Sequence, residues 1–104
     1  MSDPTSEQAQ TSSLTVRDNS EDDRFEAVDE SGVVAGFAAY RREEGRVTFT
    51  HTVVDDAFEG RGVGSTLVKA ALDAVRDEGV RVVPQCPFVG SYIERHPEYA
   101  DLVD

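Results

Sequence analysis

A single cysteine, Cys86, and a single lysine, Lys69, stand in a chain of 104 residues. One cysteine excludes an internal disulfide and any metal site built from several thiolates, leaving either a small buried hydrophobe or a reactive thiol. No apolar run approaches the roughly 18 residues that a membrane-spanning helix needs. The first 23 residues also lack the basic-then-apolar layout of a signal peptide, so a cytoplasmic location is expected. Positive charge is scarce: 10 basic residues face 21 acidic ones, for a formal charge of −11. Such a surface repels nucleic-acid phosphates and anionic lipid headgroups, which sets aside basic-patch binding to either. The acid-rich, lysine-poor balance instead resembles proteins of salt-loving organisms, where ions screen self-repulsion over a Debye length of about 3 Å at 1 M salt. A chain this short buries its apolar residues in one core, so a second domain is not expected.

The polar stretch MSDPTSEQAQTSS, residues 1–13, cannot offset the entropy of being ordered. LTVR, residues 14–17, suits at most a short edge strand, and the acidic run from Asp18 to Asp23 reads as a solvated linker. Residues 1–23 are therefore expected to form a disordered or weakly ordered acidic tail, and residues 24–104 the folded domain. From Arg24 onward, RFEAVDE, VVAGFAAYRR and RVTFTHTVV are separated by Ser31-Gly32 and Glu44-Gly45, which predicts a three-stranded antiparallel meander. In the third strand Val47, Phe49, His51 and Val53 alternate with Thr48, Thr50 and Thr52. That period of two assigns His51 to the apolar face.

Val63, Leu67, Ala70, Ala71, Ala74 and Val75 then recur at helical spacing, and Gly79 ends the pattern. VRVVPQ, residues 80–85, predicts a fourth main strand, and Pro87 a second helix running to about Arg95. His96-Pro97 breaks that helix, and PEYADLV suits a last helical turn. A strand, a helix and a strand in succession imply a right-handed crossover and a parallel pair. The expected fold class is α+β with a mixed sheet.

Three glycines, Gly60, Gly62 and Gly64, fill the loop between the third strand and the first helix. Backbone N–H groups at a helix start lack intrahelical acceptors, and the helix dipole adds partial positive charge there, so anions settle at such places. Glycine lets a diphosphate approach the amides, and Ser65 and Thr66 add hydroxyl donors. The plainer alternative is a tight, flexible turn. Neither GK[ST] nor GxGxxG is present, which excludes the loops of those two nucleotide-binding classes.

FEGRGVGSTLV, residues 58–68, resembles the acyl-CoA signature Q/R-x-x-G-x-G/A of the GNAT (N-acetyltransferase) superfamily, with Glu59, Gly62 and Gly64 on the three marked positions. Glu59 departs from the usual Gln or Arg. A closer resemblance, over residues 24–104, is to small GNAT-like proteins of about a hundred residues, carried by TFTHT (48–52), RGVG (61–64) and QCPFVGSYIERHPEY (85–99). It implies a minimal GNAT fold, with acetyl-CoA as co-substrate and an amine as acceptor. The pyrophosphate would lie on the loop from Gly60 through Arg61, Gly62, Val63 and Gly64 to Ser65, beside Glu59, and the pantetheine arm along Val53 and Val54.

Acyl transfer to an amine needs a base, a donor for the carbonyl oxygen and an acid for the departing thiolate. Histidine suits the first role near neutral pH, which singles out His51. The alternative is a satisfied core histidine. Cys86, ahead of Pro87, is either an inert buried thiol or, as the resemblance implies, a partner of His51. By the same resemblance Tyr92 would protonate the coenzyme thiolate, the alternative being ordinary helix packing. No metal is expected, since Glu94, His96, Glu98 and Asp101 are interrupted by Pro97 and read as a helix-end surface. An acetyltransferase, a CoA-binding module without turnover and a partner-binding scaffold remain as readings.

Overall fold

The computed structural model describes residues 14–104, so the predicted tail over residues 1–13 lies outside the described residues. Five strands form one sheet in sequence order: β1 (Thr15–Asn19), β2 (Arg24–Val28), β3 (Val34–Glu43), β4 (Arg46–Val54) and β5 (Arg81–Pro84). The first four are antiparallel neighbours, and β5 runs parallel to β4. Between them lies α1 (Val63–Glu78), and α2 (Pro87–Arg95) follows β5. Short 3-10 turns occupy Asp56–Phe58 and Pro97–Leu102. This is the expected α+β architecture with its single parallel crossover.

The sheet begins at Thr15, earlier than the domain boundary expected at Arg24. LTVR does supply an edge strand, in register from Thr15 opposite Val28 to Asn19 opposite Arg24. Asp18 of the supposed linker is held as well, accepting a hydrogen bond from the Tyr40 hydroxyl and pairing with Arg42. Its carboxylate satisfies groups that would otherwise be orphaned at the sheet rim.

One face of the sheet carries the core. Leu67, Val68, Ala71, Leu72 and Val75 project from α1 at helical spacing, and Val89, Tyr92 and Ile93 from α2, onto Phe25, Ala27, Ala38, Tyr40, Val47 and Phe49. Each large aliphatic group fully buried there contributes about 1.5–3 kcal/mol before entropy is subtracted. The helix stops where predicted, with Gly79 in the left-handed conformation and its N–H bonded to Arg76.

The alternation in β4 does not continue to its end. Ala39 stands opposite His51 while its neighbour Tyr40 stands opposite Phe49, so Thr50 is an extra residue, a β-bulge. The Thr50 hydroxyl stabilises it by donating to the Ala39 carbonyl at 3.3 Å. Beyond the bulge the two faces exchange. Thr52 and Val54 turn to the core side, whereas His51 and Val53 point to the opposite face and are exposed. The expectation that His51 shares the face of Val47 and Phe49 is thereby corrected.

Candidate active site

The loop after β4 is built by local hydrogen bonds. Asp55 caps the first 3-10 turn by accepting from the Ala57 N–H at 2.9 Å, and the Asp55 N–H is tied back to Ala35. Gly60 and Gly62 then take φ of 82° and 73°, in the left-handed region that side chains disfavour. Gly62 is the N-cap of α1, with no side-chain cap. Its carbonyl accepts from Thr66, so the N–H groups of Val63, Gly64 and Ser65 have no acceptor within the helix.

Gly64 has a different reason to be glycine. A Cβ there would come within 2.6 Å of the Phe88 ring, so its bareness lets α1 and the start of α2 pack closely. The three glycines thus divide their work: two bend the chain and the third admits an aromatic ring.

These elements enclose an open cleft of about 250 Å³, lined by Val54, Phe58, Glu59, Gly60, Gly62, Val63, Gly64, Ser65 and Phe88. Among its liners only Glu59 bears a formal charge, so the attraction for an anion must come from backbone amides and the helix dipole. Arg61 turns its guanidinium over the Phe58 ring, 5.5 Å from the centroid, at the cleft's edge rather than in its lining. Sequence reasoning passed over Phe58 and Phe88. FEGRG does put one aromatic next to the loop, but Phe88 lies 24 positions beyond Gly64 and no local pattern ties them.

Beside the cleft the sheet splits. β5 pairs with β4 only from Arg46 to Phe49, and the last link is the Cys86 N–H donating to the Phe49 carbonyl at 2.9 Å. Among the described residues, Thr50 to Val54 therefore have β3 on one side and no strand on the other. The cleft opens at Val54, the far end of this bare edge, and the bulge sits at its near end.

His51 and Cys86 flank that split from opposite faces of the sheet. Cys86 is buried at the N-cap of α2, its Sγ 3.3 Å from the Thr52 Oγ1. His51 lies on the open face, its ring edge-on to Phe37 with centroids 5.9 Å apart and its Nδ1 3.3 Å from the Thr50 Oγ1. Hence the two do not touch each other directly. Tyr92 lies elsewhere again, buried on the α1 side of α2, stacked on His96 at 3.9 Å and outside the cleft lining. Burial pushes its hydroxyl above the ordinary tyrosine value. Val53 is exposed and Val54 lines the cleft.

A protein-family model described as GCN5-related N-acetyl-transferase matches residues 24–102. The chain belongs to this family. The GCN5-related fold is seen again in the NMR structure of a GCN5-like protein from Staphylococcus aureus, with a TM-score of 0.67, 24% identity, and 89% of this chain and 90% of that one covered. It is seen too in a crystal structure assigned as a phosphinothricin N-acetyltransferase, with a TM-score of 0.53, 23% identity, and 91% and 61% covered. Among curated sequences, Protein NATD1 of Xenopus tropicalis is 39% identical over 51 residues, which is 49% of this chain and 47% of that protein. Protein NATD1 of Danio rerio is 30% identical over 59 residues, 55% of this chain and 54% of that one. The chain spans about half the length of these curated relatives.

Proposed function

We propose that the protein is an N-acetyltransferase that takes its acetyl group from acetyl-CoA and passes it to an amine. The observation that carries this reading is the junction of two features: helix-start amides at Val63, Gly64 and Ser65 and a strand edge from Thr50 to Val54, both without a partner among the described residues. A pyrophosphate fits the first and an extended pantetheine arm the second. Acetyl-CoA would supply the activated acyl group as a thioester.

In this reading His51 removes a proton from the incoming ammonium on the open face, and the freed amine nitrogen forms the new C–N bond. The C–S bond breaks as the tetrahedral adduct collapses, and the leaving sulfur takes the second proton shed by the attacking nitrogen, at the split whose core side is lined by Cys86 and Thr52. Tyr92, outside the cleft lining, acts as support for α2 in this scheme. A covalent route through Cys86 has less support, since the thiol is only 3% exposed and faces away from His51.

Calorimetric titration with CoA and a coupled thiol-release assay test the proposal. His51→Ala should lower kcat by about 10²-fold or more, the usual size of a general-base contribution, with CoA affinity changed less than twofold. Absence of CoA binding by the unmodified chain would refute the reading. CoA binding without acetyl release to any amine would instead select the binding-module alternative.

A further inference from the structure

The open face of the sheet carries a row of chemistry-bearing side chains. Arg24 on β2, Ala39 on β3 and His51 on β4 stand in one row, since Ala39 is the registered partner of both. Two strand spacings of about 4.8 Å separate the outer pair, and the methyl of Ala39 leaves a trough between them. Glu26, Phe37 and Val53 form the adjacent row. Phe37 joins the two rows: the Arg24 guanidinium carbon lies 4.4 Å from its ring centroid on one side and the His51 ring 5.9 Å away on the other.

Glu26 is 2% exposed and shared by two cations. It accepts from the Arg17 Nε at 2.9 Å, the Arg24 Nε at 2.7 Å and the Asn19 amide at 3.0 Å. Two guanidinium groups meet on this one carboxylate, with the exposed Asp22 joined to it through the same Asn19 amide at 3.2 Å, in a protein whose total charge is −11. Among the described residues Glu26 takes only the Nε of Arg24, so the terminal amino groups of that guanidinium are free to act as a fork for an anion.

We infer that the acceptor is a small amine that itself carries a carboxylate, bound across this trough with its amine at His51 and its carboxylate at Arg24. The inference rests on the acetyltransferase reading above. The two distances through Phe37 bring the guanidinium and the imidazole no more than about 10 Å apart. With a contact of about 3 Å at each end lying along the trough between the two groups, an amine and carboxylate a few ångströms apart, as in an α- or β-amino acid, span the gap. A neutral or polycationic amine would leave the forked cation unpaired or repelled.

The test compares each amino acid with its own amide, glycine with glycinamide and β-alanine with β-alaninamide, as acceptors for the full chain supplied with acetyl-CoA. The free acid should give a kcat/KM at least tenfold higher, the difference appearing in KM. The amide has the less basic amine and so more of the reactive free form at neutral pH, so amine basicity cannot produce that preference. Arg24→Met should abolish the preference, lowering kcat/KM for the free acid at least tenfold more than for the amide, and Arg24→Lys should restore part of it. Equal or better use of the amides by the unmodified protein would overturn the inference. If neither is acetylated, calorimetry with CoA separates the causes. Failure to bind CoA refutes the underlying reading, whereas CoA binding with no perturbation of the His51 proton resonances by either amine overturns the acceptor assignment alone.

Discussion

Glu26 shows how one side chain can join stability to a binding surface. Burial pushes its carboxyl up, but hydrogen bonds from Asn19, Arg24 and Arg17 outweigh that and hold it down to about 2. A carboxyl whose folded value lies below its unfolded value of 4.5 stabilises the fold above that value. That contribution is lost as pH falls from about 4.5 toward 2. Glu26→Gln removes the charge yet keeps the shape. We expect it to cost about 2 kcal/mol in urea unfolding at pH 7 and to flatten the acid limb of stability below pH 4.5. Equal stability of the two proteins at pH 7 would mean that the cluster gains nothing over its hydration. None of this was legible in RFEAVDE, where Glu26 reads as an ordinary outward position between Phe25 and Ala27. Two of the three donors, Arg17 and Asn19, come from β1, whose pairing the acidic run obscured.

At the scale of elements, the meander, the glycine loop, both helices and the parallel strand could be read from the sequence because each is fixed by local signals: alternation, turn residues, helical spacing and caps. The bulge could not. Threonine and valine suit either face of a half-buried strand, so TFTHTVV keeps its chemical alternation straight through a residue that reverses the geometry. The assignment of His51 to the core face failed for that reason, and the error matters, because the reversal is what sets the imidazole on the open side of the split. The Gly64–Phe88 contact was equally hidden, being a fit between two helices. It predicts strong coupling. Gly64→Ala should cost about 1–2 kcal/mol by overpacking against the ring, and most of that cost should vanish in a Phe88→Ala background, where nothing opposes the added methyl. A double-mutant cycle by thermal unfolding checks this, and strictly additive losses would show that the ring does not confine α1. Because both residues line the cleft, Gly64→Ala should also weaken CoA binding by about tenfold.

For the molecule as a whole, two electrostatic effects oppose each other. Local ion pairs are well distributed: Arg42 bridges Glu78 and Asp18, Arg46 reaches Asp104, Arg76 holds Asp101, and Lys69 pairs with Asp73 one turn on. All of these are largely exposed, and pairs of this kind contribute about 0–1 kcal/mol each. The cations are few enough to be mostly committed, while the acidic excess of eleven charges has no counterpart. Raising salt weakens both the pairs and the repulsion, and the repulsion is the longer-ranged of the two, so screening over a Debye length falling from about 10 Å at 0.1 M to about 3 Å at 1 M relieves it more. Tm should therefore rise with KCl across that range, and the rate of CoA association should rise with it, because the coenzyme approaches a surface of its own sign. A falling Tm would show that the pairs dominate, and a falling association rate would show that the loop amides and the Arg61 side chain project enough positive potential to steer the coenzyme against the net charge.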